Sequence, residues 1–370
     1  MDKLLIMANG TICLYRFRKE LISALAEYQQ VYVSAVDDGF AEELKALGIT
    51  YIETPCDRRK ANPFRDFVLL CRYIWLMHKI KPDTVLTYTI KPNIYGNFAA
   101  RIFGIPVIST ISGLGDGFLN KGIVGRIVKI LFKFAFSKVA TVVFQNEEDE
   151  FAMRQAGIIK NQRVIQVPGS GVNLEEHEIL NYPKKTDVSF LYIGRIMYSK
   201  GIYELINATR RLKADRAYDF SVNLLGFGED DTYDLVKEAE KDNIISMQGF
   251  QKDLVPYMED AHCVVLPSHR EGMSNALLEA AARGRALIAS GISGCREVIE
   301  EGVNGFLCAP GDEESLYDCM KRFLDLSQLK RAQMGVSSRK KVEKTFNRKI
   351  VVTAMLKEIA KAKRMNVQCV

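Results

Sequence analysis

The chain has 370 residues, beyond the roughly 250 to 300 at which a single hydrophobic core stops growing, so two domains are expected. With 48% hydrophobic and 26% charged residues, 26 Gly and 10 Pro, it is neither disordered nor fibrous. The net charge of +6 is too mild to name a partner, and eight Cys without a C-x-x-C pair argue against a zinc site or a disulfide framework and fit reduced thiols in a cytoplasm.

The first ten residues carry an acid and too short an apolar run for a signal-peptide core. The stretch Ile102 to Gly115 falls short of the ~20 apolar residues that a spanning helix needs and is interrupted by Pro and Gly, so no membrane crossing is expected. Short β-rich runs then alternate with amphipathic helical stretches, which reads as repeated βα units around parallel sheets. Strands are predicted at Leu4 to Ala8, Val31 to Ala35, Thr84 to Tyr88, Val107 to Ile111, Thr141 to Phe144 and Arg163 to Val167. A second series follows at Val188 to Ile193, Phe220 to Leu225, Ile244 to Gln248, Cys263 to Leu266, Ala286 to Ala289 and Gly305 to Cys308. Between them Pro168 to Lys185 is rich in turn formers and charge, as a hinge linker is, and places the boundary near Asn181. The expected organisation is therefore two doubly wound, Rossmann-like α/β domains, 1–180 and 181–345, with a final helix over 346–370 that has no strand to serve.

Three helices are notable. In Pro63 to His78 the residues Phe64, Phe67, Val68, Cys71, Ile74 and Trp75 form an i, i+3, i+4 stripe, with His78 at its end as a core or rim histidine. From Lys121 to Lys138 the bases Lys121, Arg126, Lys129, Lys133 and Lys138 recur without any acid, opposite Ile127, Ile130, Leu131, Phe134 and Ala135. That pattern suits an anionic leaflet, and equally a domain helix whose apolar side is core. The run Glu147 to Glu150 after Asn146 reads as an N-cap with a charged first turn rather than a metal site. Across Thr54 to Asn146, fourteen Lys and Arg stand against four Asp, a local balance of +10 that suits a membrane, phosphate or nucleic acid, and no nucleic-acid-binding motif accompanies it.

The densest chemistry lies between Leu266 and Ser290. A strand ends at Pro267, a loop holds Arg270, Glu271 and Gly272, and a helix begins about Ser274, with Met273 and Asn275 beside its first amides and Glu279 inside it. Free amides at a helix start hold a diphosphate, a carboxylate within the helix can accept the vicinal hydroxyls of a ribose, and one in the loop can accept those of a sugar. On spacing alone, Glu271 as a first-turn acid and Glu279 as a solvated helix residue fit as well. A second strand, loop and helix, Tyr192 to Ile206, carries Gly194, Arg195 and Lys200, cations that could neutralise a departing diphosphate or simply be solvated. A third turn, Gly226-Phe-Gly228, is weak by itself.

Taken together these residues resemble glycosyltransferase family 4, retaining enzymes of the GT-B fold that use nucleotide sugars. The resemblance covers Gly194-Arg195 with Lys200-Gly201, Gly226-Phe-Gly, Gly249 with Asp253, Pro267-Ser268, the pair Glu271 and Glu279, Gly284, Gly294 to Val298, and Gly302 to Gly305 with Pro310-Gly-Asp312. It implies that the two domains face each other across a cleft, with the C-terminal helix crossing back to the first. It also implies that Arg195 and Lys200 bind the donor diphosphate, Glu279 the ribose and Glu271 the transferred sugar. The first half is more loosely similar to the subgroup that builds capsule, exopolysaccharide and lipid-linked oligosaccharides on polyprenyl diphosphate, through Asn9-Gly10-Thr11 with Arg16 and Arg18, Lys91 to Gly96, and Ile111 to Gly115. Two departures stand out: a single Gly10 replaces a Gly-Gly pair, and Ser109 to Gly115 carries no histidine.

No D-x-D pair is available to hold a divalent metal, so no metal cofactor is expected, the two cations and a helix N-terminus serving the leaving group instead. No positioned nucleophile is evident, which favours front-side displacement. The expected protein is a metal-independent, retaining hexosyltransferase that moves a sugar from a nucleotide donor, expected to be UDP-linked, to a polyprenyl-diphosphate-linked saccharide. Its expected place is cytoplasmic, on the inner face of the cell membrane, with the anionic surface met by Arg126, Lys129 and Lys133 and the acceptor by Arg16, Arg18 and Lys91. A nucleotide-sugar 2-epimerase of similar architecture and a non-catalytic sugar-nucleotide binder are the alternatives; nucleic acid is not an expected partner.

Overall fold

A computed structural model describes residues 1–57, 62–120 and 122–367. Arg58, Arg59, Lys60 and Lys121 of the basic stretch, and Cys369, lie outside the described residues. The chain divides into two compact units, unit 1 being 1–170 with 349–370 and unit 2 being 171–348.

The sheet of unit 1 comprises β1 (Lys3–Met7), β2 (Gln30–Ala35), β3 (Thr50–Glu53), β4 (Thr84–Tyr88), β5 (Val107–Ile111), β6 (Thr141–Phe144) and β7 (Arg163–Gln166). Its order is β3-β2-β1-β4-β5-β6-β7, and every neighbouring pair is parallel. Alternate residues feed two cores: Leu5, Met7 and Val85 pack on one face, Leu4, Ile6 and Leu86 on the other. Both faces are covered, which is why the central strands read as continuous apolar runs. The edge strand β3, four residues of which none is buried, is absent from the expected series.

The sheet of unit 2 comprises β8 (Val188–Ile193), β9 (Phe220–Leu225), β10 (Ser246–Met247), β11 (Cys263–Leu266), β12 (Ala286–Ser290) and β13 (Gly305–Cys308), in the order β10-β9-β8-β11-β12-β13. The run Ile244 to Gln248 yields only the two-residue edge strand β10. Each sheet reverses its strand order once, between β1 and β4 and between β8 and β11, and a doubly wound sheet holds ligands beyond the carboxyl ends of its strands at such a reversal.

The helices used below are α1 (Thr11–Ala26), α2 (Pro63–Ile80), α3 (Asn97–Ile102), α4 (Ile123–Phe136), α5 (Glu147–Gln155), α6 (Ile202–Ala214), α7 (Asn275–Ala282) and α8 (Arg348–Val367). The first turn of α5 is acidic and its N-cap is Asn146, whose side chain accepts from the Asp149 amide at 2.8 Å. In unit 1, α8 buries Met355, Ile359 and Ala362 in the core that holds Leu4, Ile6 and Leu86, while Ile350 stays exposed. Arg163 of β7 clasps Glu358 of α8 through two bonds of 2.5 and 3.0 Å.

Two expectations are corrected. The linker expected over Pro168 to Lys185 is attached to unit 2 from Gly171 onward: Leu180 donates to Arg283 O, and the fully buried Arg285 donates to Asn181 O at 2.8 Å. The first crossing therefore falls between Ser170 and Gly171, ahead of Asn181. In α2 the buried face is Asp66, Leu69, Tyr73, Leu76, Met77 and Ile80; the stripe of Phe64, Phe67, Val68, Cys71 and Trp75 is exposed, and so is His78.

Candidate active site

In unit 2 the loops after β8, β9 and β11 converge at the strand-order reversal because glycines let their backbones touch. Gly226 has φ +154°, and a Cβ there would lie 1.8 Å from Gly194 O. Gly201 has φ +69°, and its Cβ would lie 2.0 Å from Pro267 O. Any side chain at either position would force the loops apart.

Across the second of these junctions Lys200 Nζ donates to Glu271 Oε1 at 2.6 Å, and the Ser268 hydroxyl donates to the same oxygen at 2.9 Å. Both charged side chains are largely buried. Glu271 Oε2 takes no bond among the described residues, so it is open to a ligand hydroxyl. Arg195, in the turn after β8, is half exposed, and its guanidinium meets Glu229 at 3.0 Å. The turn itself is pinned by Tyr192, whose hydroxyl donates to Arg195 O at 2.6 Å; burial pushes that phenol well above its ordinary value, so it stays a donor.

Helix α7 begins where the sequence places it. Its N-cap Ser274 donates its own amide to Gly294 O and accepts from the Leu277 amide at 3.3 Å. The Asn275 and Ala276 amides find no acceptor among the described residues, which leaves them with the positive end of the helix dipole for an anion. Gly272 and Met273 form the approach to this cap, and Glu297 braces it by accepting from the Gly294 amide at 2.6 Å. Glu279 lies one turn into α7, partly exposed, with His177 Nε2 3.8 Å from its Oε2. The loops of unit 2 that meet here carry Gly194, Arg195, Lys200, Gly226, Glu271, Gly272 and Met273, and Ser274, Asn275 and Glu279 lie on the helix that follows; of the charged members only Lys200 and Glu271 are in contact. The neighbouring Cys295 is no nucleophile: burial, and then the charge of Glu271, push its thiol well up.

Sequence reasoning missed several partners. Ser268, which the resemblance includes without a role, and His269 lie inside the motif that contains Glu271, so the spacing of that loop already carries both. His269 Nε2 is 2.7 Å from the buried Glu204 of α6, and its backbone amide donates to Ser199 O, tying the Glu271 loop to the Lys200 loop. Glu229 follows the Gly226-Phe-Gly turn, whereas His177 lies in the linker and no motif marks it.

The residues singled out in unit 1 fall in three places. Gly10 is the N-cap of α1 in an extended conformation open to any residue, and Asp38 accepts from the Ile12 amide at 2.7 Å and from the Thr11 hydroxyl, so part of that helix start is already occupied. Arg16 lies over the Phe40 ring, and Arg18 is buried over Tyr88 with its guanidinium donating to Cys13 O. Lys91, before a π-helical turn at Pro92–Gly96, is paired with Asp66 at 2.6 Å, each side chain being 12% exposed. Ser109 and Thr110, in the stretch that lacks a histidine, are buried within β5. On α4, Arg126 and Lys133 are exposed and Lys129 lies over Phe118.

Residues 187–325 match a model described as glycosyl transferases group 1, and residues 3–146 one described as glycosyl transferase 4-like. The chain belongs to this glycosyltransferase family. Among similar proteins is the N,N'-diacetylbacillosaminyl-diphospho-undecaprenol alpha-1,3-N-acetylgalactosaminyltransferase of Campylobacter jejuni, 27% identical over 347 residues, 88% of this chain and 90% of that one. The UDP-Gal:alpha-D-GlcNAc-diphosphoundecaprenol alpha-1,3-galactosyltransferase of Escherichia coli is 27% identical, covering 80% of this chain and 79% of its own length. Among solved structures, HepE of Anabaena in complex with UDP and glucose superposes with a TM-score of 0.79 at 18% identity, over 97% of this chain and all of that one. The fold of this glycosyltransferase is GT-B.

Proposed function

We propose that this glycosyltransferase moves a sugar from a UDP-sugar to a saccharide carried on polyprenyl diphosphate, with retention of configuration and without a metal ion. The observation that carries the reading is the Lys200–Glu271 pair at the strand-order reversal, beside the open amides of α7. Lys200 and Arg195 would meet the diphosphate, whose charge grows as the glycosidic bond breaks, and Glu271 Oε2 would accept a hydroxyl of the sugar. Glu279 would hold the ribose.

The two relatives named above act on undecaprenyl-diphosphate-linked sugars and the E. coli relative uses UDP-galactose, which supports the donor and acceptor classes. A lipid-borne acceptor calls for an enzyme at the membrane, and α4 offers exposed Arg126 and Lys133 beside exposed Ile127, Ile130 and Phe134. No helix among the described residues is long and apolar enough to cross a bilayer, so the proposed attachment is peripheral.

The test is incubation of labelled UDP-sugars with polyprenyl-diphosphate saccharides in EDTA, followed by NMR of the new anomeric centre. An α-linked product from an α-donor is expected. Loss of activity in EDTA, an inverted product, or conversion of the donor alone into its epimer would overturn the corresponding part of the reading.

A further inference from the structure

Helix α2 carries apolar residues on two opposite sides, and only one of them is covered. Leu69, Tyr73, Leu76, Met77 and Ile80 fill the core of unit 1. On the opposite side Phe64 is 76% exposed, Phe67 63%, Val68 52% and Trp75 49%. Large aromatic side chains left in water along one helix face mark an interaction surface.

The charge around this face selects its occupant. Arg65, Arg72 and Lys79 follow one flank at intervals of seven residues, and Lys79 Nζ lies 4.7 Å from the centre of the Trp75 ring. The nearest acid recorded on these bases is Asp57, 3.4 Å from Arg65; Asp66 is turned inward to Lys91. The other flank leads on to a second apolar surface. The rings of His78 and Phe103 are 6.4 Å apart, Ile102 and Phe103 are exposed at the end of α3, and Arg101 donates to Phe134 O and to the Ser137 hydroxyl at the end of α4. From there Phe134, Ile130, Ile127 and Ile123 continue as an exposed row, with Arg126 and Lys133 along one side.

We infer that the aromatic face of α2, joined to α4 through Ile102 and Phe103, inserts into the interfacial region of an anionic bilayer. Apolar rings enter the headgroup boundary while flanking bases reach the phosphates, and a tryptophan beneath a lysine is at home at that depth. A second copy of the chain fits this face less well, because it would bring two rows of bases, in which only Arg65 has an acid recorded beside it, against each other. The inference rests on the lipid-carrier reading only for the source of the membrane, and α4 alone could satisfy that reading.

Trp75 is the chain's one tryptophan, so its fluorescence reports on this face alone. With vesicles of phosphatidylglycerol and phosphatidylcholine, its emission should shift to the blue and be quenched by lipids brominated on their acyl chains; with phosphatidylcholine alone the response should fall sharply. Phe64→Ser and Phe67→Ser should each weaken partitioning about tenfold. Both positions are exposed, so circular dichroism and donor hydrolysis should be unchanged. Unchanged Trp75 emission while the protein still sediments with the vesicles would overturn the insertion of α2 and leave the proposed function standing. A blue shift that grows with protein concentration without lipid, accompanied by a dimer in analytical ultracentrifugation, would assign the face to self-association and overturn the inference.

Discussion

Replacing Lys200 by Met separates what its ion pair does for the fold from what it does for the reaction. Lys200 Nζ is 2.6 Å from Glu271 Oε1, with the two side chains 13% and 14% exposed, and among the described residues the one other bond to that oxygen comes from the Ser268 hydroxyl. Lys200→Met leaves a mostly buried carboxylate with one neutral partner, which should lower stability by about 1–3 kcal/mol. In the proposed reaction the same ammonium would meet a diphosphate whose charge is greatest in the transition state, and losing one such group should cost about 2.7–4 kcal/mol, a factor of 10² to 10³ in kcat. The double variant Lys200→Met with Glu271→Gln removes both charges, so its thermal midpoint should recover towards wild type while its kcat stays low. Thermal unfolding followed by circular dichroism and single-turnover transfer with saturating donor measure the two quantities separately. Recovery of kcat in the double variant, or near-normal kcat in a folded Lys200→Met enzyme, would refute the assignment of this pair to the donor diphosphate.

The remaining predictions concern other parts of the molecule. Glu279→Ala should raise the donor KM about tenfold with kcat little changed, as loss of a contact made equally in ground and transition states does, whereas Glu271→Ala should lower kcat; steady-state kinetics with a common pattern for both would merge their roles. Gly201→Ala, at φ +69° and with its Cβ 2.0 Å from Pro267 O, should destabilise by at least about 1 kcal/mol and weaken nucleotide binding, measured by calorimetry with UDP. Replacing Arg126, Lys129 and Lys133 with Glu should release the protein from anionic vesicles, since each base near such a surface contributes about 1 kcal/mol, and sedimentation at low and high salt reads the loss. Glu358 is held below its ordinary value of 4.5, first by hydrogen bonding to Arg163, with Lys361 assisting and burial opposing. Its stabilising contribution is complete above the unfolded pKa and is lost as pH falls through the lower folded pKa, so Glu358→Gln should lose about 1 kcal/mol at neutral pH and show a flatter acid limb in thermal unfolding.

Much of unit 2 was legible because its chemistry is local. Lys200 stands seven residues beyond β8, Glu271 five beyond β11, and Ser274 and Glu279 open the next helix, so motif spacing and strand order together place these residues at the carboxyl end of the sheet. The contacts that were not legible join distant segments. His177 meets Glu279 from the linker, Glu204 reaches His269 from α6, and Arg163 finds Glu358 across 195 positions. In unit 1, the resemblance that singled out Arg18 and Lys91 did not disclose their partners within the protein. Both have the residue type that an anionic acceptor would need, and both are engaged with the protein, one with Tyr88 and Cys13 and the other with Asp66.

Helix α2 shows why periodicity identifies a stripe without saying which way it faces. Two apolar stripes run along it, Phe64, Phe67, Val68, Cys71 and Trp75 on one side and Leu69, Tyr73, Leu76, Met77 and Ile80 on the other, and both satisfy the i, i+3, i+4 rule. Arg65, Arg72 and Lys79 run between them and favour neither. The one charge within a stripe is Asp66, on the second, where an acid would ordinarily signal solvent. It is buried because Lys91, arriving from the β4 loop, neutralises it at 2.6 Å. The ion pair therefore decides the orientation: it allows the acidic stripe to become core and leaves the aromatic stripe outside. Lys91 thereby acts on the exposed aromatic stripe through α2, and Lys91→Met, by leaving the Asp66 carboxylate in the core without a cation, should loosen this helix while Asp66→Asn in the same chain restores it. Hydrogen exchange over Pro63–Ile80 measures that coupling, and equal protection in all three proteins would show that packing alone sets which stripe is buried.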